Sequence, residues 1–158
     1  MRNIVLSRID ERLIHGQVMT SWIKIANPNK VLVIDNASAT NAFLKRILFA
    51  AAPKDMELLV MTTEDATAYL KEDADAGERI FILTKVPKPF LEAIRNGVKI
   101  DEIILGNMGG AAGRKRFNKN VNASDEEIQD FKDIIALGTN LYSQMVPSDS
   151  KEDVRKLL

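Results

Sequence analysis

With 158 residues, 46% of them apolar and 28% charged, the chain has the size and make-up of a globular protein able to bury its own core. Its 22 basic residues balance 22 acidic ones, which argues against a nucleic-acid or anionic-membrane surface, and the lack of cysteine excludes disulfides, thiolate catalysis and cysteine-held metals. No apolar run approaches the roughly 18 residues of a membrane span and the amino terminus does not read as a signal peptide, so a cytoplasmic protein is expected.

In chain order, short and continuously apolar runs recur at Ile4 to Leu6, Val31 to Ile34, Met56 to Met61, Ile80 to Leu83 and Ile103 to Leu105. Such runs, rich in Val, Ile and Leu, suit strands covered on both faces. Helix-length segments lie between them. Val18, Trp22 and Ile25 share one helical face, as do Leu44, Ile47, Leu48 and Ala51 ahead of a stop at Pro53. Thr63, Glu64 and Asp65 open a further helix with acids in its first turn, and Pro89 to Asn96 reads as another, terminated by Gly97. This alternation predicts an α/β fold: one domain over 1–158 with a mostly parallel sheet and helices on both faces.

The last third breaks the rhythm. Gly106 to Gly113 reads as a flexible loop, followed by the basic run Arg114-Lys115-Arg116 and a short strand near Phe117 to Val121. Ser124 with Glu127 three residues on is a capping box, and Ile128, Phe131 and Ile135 give that helix its buried stripe up to Gly138. Leu141 to Val146 reads as a late strand, and Val154, Leu157 and Leu158 as a short closing helix.

Chemistry concentrates in Arg8-Ile9-Asp10-Glu11-Arg12-Leu13-Ile14-His15-Gly16-Gln17, which joins the first strand to the first helix. In α/β folds, ligands bind at the carboxyl ends of the strands. Arg8 and Arg12 beside the only histidine favour a phosphoryl group over a cation, since guanidinium groups grip phosphate oxygens in pairs and repel metal ions. The following helix adds its free N–H groups and positive end. Asp10 is placed to orient an imidazole or an arginine, and equally to form an ordinary ion pair. Glu11 reads as solvent-facing, Gly16 as allowing close approach of backbone to phosphate or simply the turn, and Gln17 is uninformative alone. The glycine-rich loop lacks both the dinucleotide-binding spacing and the Lys-Ser or Lys-Thr of a P-loop. Asp35 and Asn36 end the second strand where a ribose-binding acid sits in nucleotide folds, but no glycine fingerprint accompanies them.

The run from Arg8 to Val18, followed by Trp22, resembles the IIB components of the mannose/fructose/sorbose-type bacterial sugar phosphotransferase system. Ala50-Ala51-Ala52-Pro53, Gly106-Asn107-Met108-Gly109-Gly110 and Met145-Val146-Pro147 are similar to further stretches of that family. The resemblance implies a phosphocarrier. His15 would accept a phosphoryl group, on Nδ1 in that family, from a separate IIA protein and pass it to a hexose at the membrane subunits IIC and IID. Arg8, Arg12 and Asp10 match the family's residues around the histidine, with Gly16 and Gln17 beside the phosphate. No cofactor or metal is implied, family members can be dimeric, and the protein would meet the membrane only at its inner face, through IIC and IID. A non-catalytic α/β module that merely holds an anion at the same turn is the alternative reading of the residues.

Overall fold

Why the apolar runs become strands is visible in how their side chains divide. In a computed structural model covering residues 1–158, Val31 and Val33 face one apolar layer while Leu32 and Ile34 face another. Period-two alternation between two covered faces needs apolar residues at every position, hence the unbroken runs. In chain order the elements are β1 (Ile4–Asp10), α1 (Gly16–Ala26), β2 (Lys30–Ile34), the single turn α2 (Asn36–Ala39), α3 (Ala42–Ala51), β3 (Glu57–Met61), α4 (Thr63–Lys71), β4 (Ile80–Thr84) and α5 (Lys88–Arg95). β5 (Glu102–Asn107), β6 (Lys115–Arg116), β7 (Asn122–Ala123), α6 (Asp125–Ala136), β8 (Asn140–Ser143), β9 (Glu152–Asp153) and a closing 3₁₀ turn (Val154–Leu157) follow.

Seven strands form one sheet in the order β3-β2-β4-β1-β5-β8-β9, parallel except for the last. Strand order reverses around β1, which lies between β4 and β5, so the turn after β1 opens at a switch point of the sheet. α4, α5 and α6 cover one face with Ala66, Leu70, Phe90, Leu91, Phe131 and Ile134. α1 and α3 cover the other with Met19, Trp22 and Leu48.

Local chemistry sets the helix ends. Asn41 caps α3, Thr62 caps α4, and Ser124 with Glu127 forms the expected capping box at α6. Gly97 and Gly138 adopt φ of 97° and 100° after α5 and α6, the left-handed values at which a side chain is costly.

Four details differ from the sequence expectations. β1 runs on to Asp10, so Arg8 and Asp10 belong to the strand instead of the turn. Ile25, Ile47 and Ala51 are exposed, because only a narrow stripe of α1 and α3 (Met19, Trp22 and Leu48) reaches the sheet. The strand expected at Phe117 to Val121 is the tip of the β6–β7 hairpin, tied down by a bridge from Val121 to Met108. β8 stops at Ser143, since Gln144 turns its amide onto the Pro147 and Asp149 carbonyls and folds 144–149 into a loop. The pair Asp35 and Asn36, already discounted as a ribose site, has structural bonds: Asp35 caps α2 through Ser38, and Asn36 accepts from the Thr63 N–H.

Candidate functional site

β1 delivers the first two residues of the site. Ile9 enters the core beneath α4–α6, so Arg8 and Asp10 point to the opposite face, where α1 lies. Both are buried charges, with Arg8 1% and Asp10 0% exposed, and burial on this scale demands partners. Arg8 Nη1 donates to the Gln144 carbonyl at 2.9 Å, and Nη2 donates to the Met145 carbonyl at 2.9 Å and to Asp10 Oδ2 at 3.3 Å. Its guanidinium carbon lies 4.9 Å from the centre of the Trp22 ring. Burial pulls this guanidinium below its ordinary pKa, and Asp10 opposes that pull. Arg8 is thus enclosed beneath the turn, not presented at its mouth as the sequence suggested.

Arg12 occupies the mouth. Its Nε and Nη2 reach the two Asp10 carboxylate oxygens at 3.0 and 2.9 Å, and its backbone N–H donates to Oδ1 at 3.1 Å. This bidentate bond to Asp10 holds the guanidinium above its usual pKa. With 40% of its side chain exposed, Arg12 is the cation of the cluster that a solute can reach.

Between Arg12 and the helix the backbone is strained. Leu13 has φ of 55°, a left-handed conformation that costs a leucine about 1–3 kcal/mol unless its surroundings enforce it. They do: its N–H donates to the Asp10 carbonyl at 2.9 Å, while Leu13 and Ile14 are buried in the layer under α1 and α3. The conformation sets the Leu13 carbonyl 2.7 Å from Nδ1 of His15. A carbonyl only accepts, so in the neutral ring Nδ1 carries the proton and Nε2 the lone pair. Nε2 is buried without a hydrogen-bond partner, 3.8 Å from Asp10 Oδ2.

His15 is the extended residue at the head of α1 and makes no capping bond with its side chain. The first helical hydrogen bond runs from the Met19 N–H to the His15 carbonyl, so the amides of Gly16, Gln17 and Val18 precede it. Gly16, with φ of 32°, and Gln17 are exposed there. The site therefore combines an imidazole, an accessible guanidinium and a helix amino terminus.

The glycine-rich loop braces the turn from the side of β5. A side chain on Gly106 would place its Cβ within 3 Å of the Arg8 guanidinium, so Arg8 fills the space that a larger residue needs. Glu11 similarly presses on Gly109, and its N–H donates to the Asn107 carbonyl at 3.0 Å. Arg114 bonds Glu11, the Gly109 carbonyl and, through two nitrogens, Glu127. Its guanidinium is held above its usual pKa chiefly by Glu127. Glu11 is consequently half-buried and paired, and Arg114 is a structural tie, which leaves Lys115 and Arg116 as the exposed part of the basic run. Sequence reasoning missed the Leu13 and Met145 carbonyls, because backbone groups carry no signature of their own. The one signal was Met145-Val146-Pro147, whose first carbonyl accepts from both Arg8 and Trp22.

This architecture is shared. The IIB domain of the sorbose permease from Klebsiella pneumoniae superimposes with a TM-score of 0.93 at 32% identity, covering 98% of this chain and 95% of that one. The N-acetylgalactosamine-specific IIB component 1 of Escherichia coli gives a TM-score of 0.89 at 27% identity, covering 96% and 99% of the two chains. Fold and sequence together define a phosphotransferase-system IIB component. Residues 4–158 match the profile of the phosphotransferase-system sorbose subfamily IIB component. The N-acetylgalactosamine-specific enzyme IIB component 2 of Escherichia coli is 34% identical over 158 residues, the whole of both chains. The mannose-specific EIIAB component of the same species is 31% identical over 155 residues, 98% of this chain but 48% of that protein. The chain belongs to the sorbose subfamily of IIB components. No helix in it is long and apolar enough to cross a membrane.

Proposed function

We propose that the chain is a phosphocarrier in which His15 takes a phosphoryl group from the phosphohistidine of a IIA protein and gives it to a hexose at the membrane subunits IIC and IID. The observation that carries this reading is the only histidine of the chain, at a helix amino terminus, 3.8 Å from a buried carboxylate that two arginines share. A relative whose name joins the A and B components, and of which this chain spans under half, supports a IIA component as the phosphoryl donor. In the first step a nitrogen lone pair of His15 attacks phosphorus, the donor's P–N bond breaks, and the electron pair returns to the donor imidazole. In the second, a sugar hydroxyl attacks, the His15 P–N bond breaks, and the hydroxyl proton passes to a base or to water.

In the resting arrangement Nδ1 is bound to Leu13 and Nε2 is buried, so neither nitrogen faces a donor. The ring swings away from the Leu13 carbonyl to attack, and this brings a phosphoryl group on either nitrogen toward the amides of Gly16 and Gln17. Arg12 then exchanges part of its bond to Asp10 for phosphoryl oxygens, whose charge rises in the transition state. Asp10 holds Arg12 in register, and Arg8 supports Asp10 from beneath. The protein works in the cytoplasm and meets the membrane through IIC and IID.

The test follows the second step. The phosphorylated chain, given membranes carrying IIC and IID and one candidate hexose at a time, is expected to lose its phosphoryl group to one sugar. Retention of the group with every hexose of the mannose, fructose, sorbose and amino-sugar series would overturn transfer to sugar.

A further inference from the structure

We infer that Trp22 is a positioning residue for phosphoryl transfer, acting through Arg8 and the Met145 carbonyl; the inference rests on the phosphocarrier reading above. An aromatic residue on a helix facing a sheet is ordinarily filler. Trp22, 5% exposed, sits in the apolar layer with Met19 and Val33, and that role alone would be met by any large apolar side chain. Two of its contacts go further. Its indole N–H donates to the Met145 carbonyl at 2.9 Å, and its ring backs the Arg8 guanidinium at 4.9 Å.

These contacts converge on one arginine. The Met145 carbonyl that Trp22 holds is also an acceptor for Arg8, and the Met145 sulfur lies 3.5 Å from Arg12 Nη2. Arg8 meets Asp10 at 3.3 Å, longer than its 2.9 Å bonds to the Gln144 and Met145 carbonyls. The guanidinium is therefore located mainly by the 144–149 loop, Trp22 and the backbone of Gly106, and from that fixed position it adds a buried cation to the same Asp10 oxygen, Oδ2, that Arg12 Nη2 holds. Asp10 in turn sets both Arg12 nitrogens. Loosening Trp22 releases the far end of this chain of contacts without touching His15 or phosphate. Misplacement of about 1 Å at a reacting group is enough to cost a large factor in rate.

The test compares Trp22→Phe and Trp22→Leu with Leu48→Ala, a truncation in the same apolar layer on α3. Transfer from phospho-IIA is measured over a range of donor concentrations, and the guanidinium N–H signals of Arg8 are followed by proton–nitrogen correlation NMR. Trp22→Leu is expected to lower the saturating rate at least about tenfold with KM within about twofold, the pattern of a lost transition-state alignment. It should also erase the protected Arg8 signals. Trp22→Phe, which keeps a ring face but no N–H, should fall between Leu and wild type, and it carries the test if the leucine variant fails to fold. Leu48→Ala should lose stability but keep the wild-type rate. Wild-type transfer rates in folded Trp22→Leu or Trp22→Phe, or unchanged Arg8 signals in either, would overturn the inference. A wild-type chain that takes no phosphate would instead overturn the phosphocarrier reading, and the Arg8 signals alone would then decide the brace.

Discussion

Two clusters of buried charge occupy opposite ends of the sheet, and they are built from nearly the same parts. At the amino ends of the strands, the Glu78 carboxylate is shared by Arg2 and Lys30 at 2.9 Å each, with Arg2 stacked 4.0 Å from the Tyr69 ring. At the carboxyl ends, the Asp10 carboxylate is shared by Arg8 and Arg12, with Arg8 stacked on Trp22. An acid between two cations, one of them backed by an aromatic ring, is thus a structural device and marks no site by itself. The difference lies in what each end leaves unused. Glu78 also accepts from the Asn3 N–H, and its cluster has no nucleophile. The Asp10 cluster carries an imidazole with an unpartnered nitrogen, a leucine forced to positive φ, and an arginine open to solvent. Unspent hydrogen-bonding capacity and stored strain distinguish the end with the candidate site.

The two ends should part most clearly when each acid–cation arrangement is broken. Glu78→Gln is expected to cost about 3 kcal/mol, near the lower end for opening a buried ion pair because Asp75 still pairs with Arg2 and Lys30, while transfer at neutral pH stays intact. Burial raises the Glu78 pKa, but hydrogen bonds from Lys30, the Asn3 N–H and Arg2 outweigh it and leave the pKa depressed. The stabilisation is therefore complete above the unfolded carboxyl value of about 4.3 and is lost as pH falls through the lower folded value. Urea titrations of both proteins should show the gap closing in that acid range, and a gap independent of pH would contradict this assignment. At the other end, Arg12→Ala should slow transfer by about 2–4 kcal/mol of barrier, and it also costs stability because buried Asp10 then keeps only Arg8 as a charged partner. A wild-type rate would remove Arg12 from the transition state.

Smaller effects sharpen the contrast. Gly106→Ala forces its methyl into the Arg8 guanidinium and should cost about 1–3 kcal/mol of stability, together with a loss of rate. Gly110→Ala, where nothing lies within 4 Å, serves as the neutral reference for thermal unfolding. Neutralising Lys115 and Arg116 should change only the association rate with IIA at low salt, whereas Arg114→Ala should destabilise the loop by releasing Glu11 and Glu127. Equal effects of the three substitutions on association would return Arg114 to the surface patch.

The parallel core was legible in the sequence because strands covered on both faces must be apolar throughout, as Val31 to Ile34 and Ile80 to Leu83 are. The boundary of β1 was not, since Arg8 and Asp10 read as turn residues until their mutual neutralisation is seen. Periodicity also overstated burial: Ile25 and Ile47 fit the pattern yet are 68% and 50% exposed, because only Met19, Trp22 and Leu48 of those two helices are buried. The residues that the structure brings together at the candidate site, His15 and the arginines, were visible in the sequence. Their division of labour, with Arg12 at the mouth and Arg8 beneath, depends on which side of a strand each occupies and on backbone carbonyls more than 130 residues away.

The central claim, that His15 is the phosphoryl acceptor, is tested most directly by incubating the purified chain with phosphoenolpyruvate, the general phosphotransferase proteins and a competent IIA, then measuring bound phosphate and its acid lability. As the chain has one histidine, an acid-labile and alkali-stable phosphate is assigned without mapping. The account predicts one phosphate per chain in the wild type and none in His15→Gln. Absence of label with several competent IIA donors, or equal labelling of His15→Gln, would contradict it.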